Sequence, residues 1–451
     1  MKRPALFCLI ALLFAAALWM FRGERVAFPM RVFLTADIRG RLVPCGCFTG
    51  QFGGLTRIAN HVGQPDKKNL LLDAGDALEG PEDYHRIELG YIHTAFAKMG
   101  YDAANMGHRE ASLTAEALRD LGKKSPTPLL SANLVDAKTG APVLKTHCVV
   151  KRGDWRIAVL GVLDEGIAPE QLGAGLRAEK MSTVIGQLLP ALKKDADFFV
   201  LLAFTDQDRM RALAKEFPEF CLVLGGKVSQ PSQDLAREGK TGIFYVTNES
   251  KALGQLELTL EAPGMATVVS GEVLLVHDHI EEDAQIARLA TQYRDEIRKT
   301  KLALDDPAHA NADSVPGVRS TPAYSGSESC TTCHAEAAGV WKKSGHAHAF
   351  QTLVNRGADA DPNCIGCHAV GFEKPGGYRR EYGAKKLTDV GCESCHGPAS
   401  RHIERITAGD MEGARMRKVG AADCMKCHHG EFSRPFVWEE FWPRVRHGDG
   451  K

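Results

Sequence analysis

The apolar pattern divides the chain into one part that can build a buried core and one that cannot. Lys2 and Arg3 precede an unbroken apolar run of 17 residues, from Ala5 to Phe21, which Arg22 closes. A basic start followed by a short apolar run predicts a secretory signal or a membrane anchor over residues 1–23, at the short edge of what spans a bilayer. Ala15-Ala16-Ala17 offers a cleavage point, whereas Trp19 and Phe21 suit an interfacial anchor; both readings stand. Over residues 31–278, short apolar runs at 32–36, 70–74, 156–162 and 198–203 predict strands. They alternate with helical stretches at 90–99 and 114–121, which predicts βα units around a buried sheet. Runs at 242–247 and 255–260 predict further strands.

A charged helix is expected over 281–304. Its apolar positions Ile286, Leu289, Ala290, Tyr293 and Ile297 fall on one stripe, so it should pack against a domain. Residues 305–322 are rich in Asp, Ala, Pro and Ser and read as a linker; the connecting region is thus 279–323. Residues 324–451 carry few apolar runs, so their own side chains cannot supply an ordinary core.

Charge narrows the function. The chain has 56 basic and 56 acidic residues and no polybasic run, which argues against a nucleic-acid partner. Its 451 residues suffice for two or three domains. The 13 cysteines are unevenly spread. Cys8 belongs to the N-terminal apolar run. Cys45 and Cys47, in Pro44-Cys45-Gly46-Cys47, are close enough for a redox link or a metal contact, or are two independent thiols. Cys148 and Cys221 stand alone.

The other eight form four Cys-x-x-Cys-His motifs: Cys330, Cys333 and His334; Cys364, Cys367 and His368; Cys392, Cys395 and His396; Cys424, Cys427 and His428. This is the attachment motif of c-type haem. The two thiols add across the porphyrin vinyl groups, and the adjacent His reaches the iron as proximal ligand. Paired Cys-x-x-Cys units also build zinc sites, but zinc does not require a His after every second Cys. The expectation is four covalently bound haem c groups and no second metal centre. The haems themselves would supply the buried apolar surface that residues 324–451 lack. Bacterial haem attachment takes place outside the cytoplasm, in agreement with the exported N-terminus.

Four blocks in the first half occur in order: Leu34-Thr35-Ala36-Asp37-Ile38-Arg39-Gly40, Gly53-Gly54-Leu55-Thr56-Arg57, Leu72-Asp73-Ala74-Gly75-Asp76, and Gly100-Tyr101-Asp102 through Asn105-Met106-Gly107-His108-Arg109-Glu110. Residues 31–275 resemble the 5′-nucleotidase branch of the calcineurin-like metallophosphatases. The resemblance implies an α/β β-sandwich flanked by helices. It also implies two metals held by Asp-x-His, Gly-Asp, Gly-Asn-His-Glu and two later His-bearing loops. This chain departs from that pattern. Arg39 replaces the first His, His108 and Arg109 occupy the Asn and catalytic His positions, Phe204 falls at the middle His, and Lys227 stands in the last loop. Only Asp37 and Asp76 survive of the metal site. A dinuclear centre needs several ligands on each ion, so phosphohydrolase activity is not expected.

Residues 324–451 resemble the tetrahaem cytochrome c-554 family. The similarity runs through Tyr324 to Cys330, then Trp341-Lys342-Lys343-Ser344-Gly345-His346-Ala347-His348, and then Val390 to His402. It implies a compact, mainly helical and loop-rich domain with His as sixth ligand on most haems. His346, His402 and His447 match the family's distal positions, which leaves one haem, the one on His368, without a matched partner. His348 or His309 is available for it. One constraint comes from the chain itself. His346 lies 12 residues beyond His334, about 18 Å if helical, and His402 is six residues beyond His396. Neither spacing suits two ligands on one iron, so each distal His should serve a haem other than its sequence neighbour. Met is scarce here, with only Met411, Met416 and Met425 available. Bis-His ligation without Met keeps haem potentials low.

Together these features predict an exported electron-transfer protein of anaerobic respiration, with a phosphatase-derived scaffold or docking domain. Its expected place is the periplasm or the outer face of the cytoplasmic membrane; secretion beyond the cell remains open. Its expected partners are other redox proteins, either cytochromes or a membrane quinol-linked oxidoreductase. Two alternatives compete: a haem enzyme reducing a small nitrogen or sulfur species at a five-coordinate haem, and a metallophosphohydrolase with an attached redox domain.

Overall fold

The computed structural model describes residues 26–44, 51–247, 249–306, 323–380, 385–429 and 435–448. The segment 1–23, Cys45 and Cys47, His309 and nearly all of the linker lie outside the described residues. Among those described, no helix is long and apolar enough to cross a membrane.

Two six-stranded sheets form the N-terminal domain. The first runs Met265–Leu275, Ala252–Ala262, Phe28–Thr35, Asn69–Asp73, Ala103–Asn105, Leu129–Leu130; the second runs Ala236–Glu238, Thr241–Tyr245, Phe220–Gly225, Phe198–Phe204, Trp155–Leu163, His147–Arg152. In the first sheet Val32 pairs with Leu70 in parallel and with Leu256 antiparallel. Successive side chains alternate between faces, and here both faces are covered. Val32, Leu34, Leu70 and Leu72 meet Val159, Val200, Leu222 and Phe244 between the sheets. Phe33 and Leu71 point the other way, onto helices Leu55–Val62, Asp83–Met99 and Ala284–Lys299. Leu160, Val162 and Leu201 likewise face helices Met181–Asp195 and Gln207–Glu216. Burial on both faces is why these strands read as nearly continuous apolar runs.

Some boundaries differ from the sequence expectation. The helix expected from residue 90 begins at Asp83; its first two turns carry His85, Arg86 and Glu88, so the apolar pattern hides them. The helix expected over 281–304 spans Ala284–Lys299, with Asp283 accepting from the backbone N–H groups of Gln285 and Ile286. Several elements have no expectation, including the exposed edge strand Met265–Leu275, whose alternation is weak.

The C-terminal region is built of short helices and loops. Its apolar cluster is small: Leu353, Ala358, Ile365, Ala369, Val370, Tyr378 and Leu387. The helix Ala284–Lys299 joins the two parts. Arg298 donates to Gly357 O at 3.1 Å and Asp359 Oδ1 at 2.8 Å, and Arg380 Nη2 returns to Ile297 O at 2.7 Å. Phe372 packs on Tyr84, Tyr293, Ile297 and Leu302.

Candidate haem sites and the altered phosphoesterase site

Each Cys-x-x-Cys-His motif sits on or beside a short helix, such as Pro362–His368 and Cys392–His396. One turn of backbone thereby holds two thiols and an imidazole together. The motifs also converge on one another. The thiols of Cys330 and Cys392 are close enough to influence each other, as are those of Cys367 and Cys427.

Cys333 differs from the other seven motif thiols. It is exposed, whereas Cys330, Cys364, Cys367, Cys392, Cys395, Cys424 and Cys427 are half-buried. The physical reason is its place in the chain. Cys333 lies in the turn between the helices Glu328–Thr331 and Ala335–Lys343, and its neighbours Thr332 and His334 are exposed as well. Cys330, one helical turn earlier, faces inward to Cys392. The first motif therefore has one inner and one outer thiol, and protein side chains shelter only the inner one.

Among the described residues of the C-terminal region, histidines form three facing pairs. His334 faces His402 with ring centres 6.0 Å apart, His346 faces His428 at 6.0 Å, and His396 faces His447 at 5.9 Å. Metal–imidazole bonds are about 2 Å long. Adding about 1 Å from each bonded nitrogen to its ring centre, two imidazoles across one metal stand about 6 Å apart. Each pair joins a motif His to a His from another segment. His402 Nδ1 donates to Ala414 O at 2.6 Å, and His447 Nδ1 donates to Val445 O at 2.8 Å. An imidazole anchored at Nδ1 by a carbonyl presents Nε2 to a metal. Burial, with the facing His428, holds His346 below its ordinary pKa; burial, with the facing His447, does the same for His396. The neutral imidazole is the ligating form. These residues therefore fit covalent haem.

His368 differs. Its Nδ1 is bonded to Ala349 O at 2.6 Å, but among the described residues no imidazole ring faces it. His348 is exposed, in the turn Gly345–His348.

The phosphoesterase-like site lies at the ends of the sheet strands, and its cations are neutralised one by one. Arg39 Nε donates to Asp37 Oδ1 at 2.5 Å, and Arg39 Nη1 to Glu249 Oε1 at 3.1 Å. Arg41 Nη2 reaches Glu249 Oε2 at 3.1 Å, and Thr247 Oγ1 donates to Asp37 Oδ2 at 2.7 Å. Arg109 N donates to Asp76 Oδ1 at 2.9 Å, and its guanidinium lies 3.7 Å from Oδ2. Lys227 Nζ and Arg209 Nη1 both hold Asp164, at 2.7 and 2.6 Å. Asp37, Arg39, Asp76 and Glu249 have φ of 56°, 47°, 60° and 52°, left-handed conformations that non-glycine residues adopt at a cost and that gather at functional sites. Burial pushes Asp76 well above the usual carboxylate range, with the charge of Glu110 adding to it. His108 packs edge-on against Phe204 at 5.4 Å, and burial with the nearby Lys227 lowers it to about 4. Among the described residues, no group of three or more His, Cys, Asp or Glu side chains is placed to hold a metal ion.

Residues 329–397 match the family model described as cytochrome c554 and c-prime. The cytochrome c-554 of Nitrosomonas europaea is 39% identical over 90 residues, covering 17% of this chain and 38% of that protein. The 5′-nucleotidase of Vibrio cholerae is 26% identical over 180 residues, covering 36% of this chain and 32% of that one. The chain thus spans well under two thirds of either relative. A solved calcineurin-like phosphoesterase from Bacillus subtilis superposes with a TM-score of 0.50 at 16% identity, over 60% of this chain and 98% of that one.

The C-terminal region is similar to cytochrome c554, and the N-terminal domain has the calcineurin-like phosphoesterase fold.

The cytochrome c554 match implies covalently bound haem c in the C-terminal region. In the phosphoesterase fold, the residues that sequence reasoning missed are the acidic partners. Glu249 lies 210 positions from Arg39, which only tertiary structure closes. Asp164 was within reach, since it directly follows the strand Trp155–Leu163, and the carboxyl ends of strands are where such folds place polar sites.

Proposed function

We propose that this chain is an exported multihaem electron carrier. Four haem c groups are attached at the four motifs, with His334, His368, His396 and His428 as proximal ligands. Three irons are bis-imidazole, through the pairs His334/His402, His428/His346 and His396/His447. The observation that carries this reading is the set of three cross-paired imidazoles at the spacing of axial ligands. Bis-His ligation sets low potentials, which suits anaerobic respiration and exchange with other cytochromes or a quinol-linked membrane oxidoreductase. The chain works in the periplasm or on the outer face of the cytoplasmic membrane. The phosphoesterase-like domain serves as scaffold or docking module, with Asp37 and Asp76 as remnants of its metal site. Pyridine haemochrome analysis and intact mass should agree on four haems in matured protein; two or fewer would overturn the reading.

A second reading concerns His368 alone, because no imidazole faces it among the described residues. An open haem there would bind and reduce a small nitrogen or sulfur species. Cyanide or nitric oxide binding to one haem per chain supports it, and spectra unchanged by either ligand exclude it.

A further inference from the structure

The two domains meet around buried acids that neither the haem ligands nor the phosphoesterase-like site uses. Glu88, on the helix Asp83–Met99, and Asp361, which caps the helix Pro362–His368, are each 7% exposed. Glu88 Oε2 is buried without a hydrogen-bond partner. It packs so closely on Gly40 that a Cβ there would collide with it. Around Glu88 stand Asp361, Arg41, Glu79 and Arg294. Around Asp361 stand Arg294, His85, Arg380 and the N–H of Asn363, the last at 3.1 Å. Tyr293, its hydroxyl buried and unpartnered, lies within the electrostatic reach of Glu88, Asp361, Cys364 and Tyr84. The backbone O of Asp361 also accepts from Cys364 N–H at 3.0 Å, so the capping acid lies one helical turn from a sulfur that would carry a haem.

His85 connects this interface to an exposed acid. His85 Nδ1 is 2.8 Å from Glu82 Oε2, whose side chain is 49% exposed. On its other side, His85 Nε2 is 3.2 Å from Asn363 Oδ1, next to the turn that Asp361 caps.

We infer that Glu88 and Asp361 form a proton-binding site, shared across the domain interface, whose occupancy is linked to reduction of the haem attached at Cys364 and Cys367. The inference rests on the reading that this motif carries haem. Two buried carboxylates that feel each other's charge resist ionising together, so one of them retains a proton over a wide pH range. Burial raises both groups, and at Glu88 the charge of Asp361 is the next largest cause. One electron enters from an external one-electron donor, a low-potential redox protein, and lowers the charge of the iron by one. One proton from solvent then converts a carboxylate of the pair to its acid. The local charge is unchanged, and in a water-poor interface this compensation is strong. Linkage is reciprocal, so the proton raises the potential as much as the electron raises the pKa. The fused domain thus tunes a haem that it does not ligate.

The test is a potentiometric titration of the full-length holoprotein between about pH 5 and 9. Peptide mass first establishes haem at Cys364 and Cys367; its absence would overturn the haem reading and the inference with it. With the haem present, one midpoint potential should fall as pH rises, by up to about 59 mV for each tenfold fall in proton activity. Loss of that wave in the Cys364→Ala/Cys367→Ala variant assigns it. Glu88→Gln, which mimics the neutral acid, should flatten the slope and hold that haem near its low-pH potential. Glu296→Gln, on the exposed rim of the same interface, should leave the slope intact. Potentials flat with pH in the wild type, or a slope that survives in Glu88→Gln, would overturn the coupling while leaving haem attachment standing.

Discussion

The two halves of this molecule solve the same problem by opposite means. The N-terminal domain buries three apolar clusters of its own side chains, between the sheets and on both outer faces. The C-terminal region has one cluster centred on Ile365 and Val370, and otherwise short helices linked by loops. A region so poor in apolar contacts needs another source of buried surface to offset the entropy of ordering its chain. Four porphyrins would provide it. The comparison also concerns metals. In the phosphoesterase-like domain Arg39, Arg109 and Lys227 are held by carboxylates of the same domain, whereas the cytochrome-like region gathers imidazoles in facing pairs.

The sharpest test removes the haems. Replacing all eight motif cysteines with serine should leave residues 323–448 open to limited proteolysis, while a protected fragment covering about 26–306 survives. If both halves stay equally protected, the side chains of the C-terminal region suffice for its fold and the contrast fails.

Next in size are the distal ligands. His346→Ala, His402→Ala and His447→Ala should each add about one high-spin haem per chain in the electron paramagnetic resonance spectrum. The covalent haem count should stay the same, because the thioethers are untouched, and the potential of the affected haem should rise. His429→Ala should change nothing. If His447→Ala is silent and His348→Ala creates the high-spin signal, the third pair is misassigned.

The altered site offers a smaller effect. Arg39→Met leaves Asp37 and Glu249 without the guanidinium that bridges them. Breaking a partly buried pair from one side should cost about 2 kcal/mol, less than the cost in a fully buried pair because Arg39 is part-exposed; denaturant unfolding of the N-terminal domain measures it. The wild type should show no turnover of 5′-nucleotides, with or without added divalent metal. Robust turnover that Asp76→Ala abolishes would mean that the site still works as a metal centre.

Much of this architecture is legible in the sequence, for physical reasons. Strands buried on both faces announce themselves as apolar runs, so Val32 to Thr35 and Phe198 to Ala203 are readable. The haem motifs are readable because their chemistry is local: five residues make one site. What surrounds each motif is not local, which is why the spacing of Cys330 and Cys333 says nothing of one thiol facing inward and the other outward. Partnership is not local either. Spacing argues against pairing His346 with His334, but that it faces His428 is a property of the fold. The start of the helix at Asp83 is hidden for the same reason. Glu88 and His85 look like surface residues in the sequence, and contacts distant in the chain bury them, Gly40 against Glu88 and Asn363 against His85.

The smallest effect expected is a pH dependence confined to the N-terminal domain. Burial, with the neighbouring Lys227, lowers His108 to about 4, whereas an unfolded His titrates near 6.5. The folded form thus favours the neutral imidazole. Its contribution to stability is fully present above about pH 6.5 and is lost as pH falls toward 4, because the unfolded chain binds the proton first. The side chain is part-exposed, so screening limits the loss to roughly 1–2 kcal/mol. Thermal unfolding followed at about pH 7 and pH 4.5 should show that loss, and His108→Gln should remove it while the general acid destabilisation from other groups remains. An unchanged pH dependence in His108→Gln would mean that Lys227 and the packing against Phe204 do not hold this imidazole neutral, and that the exchanged cations act on their carboxylate partners alone.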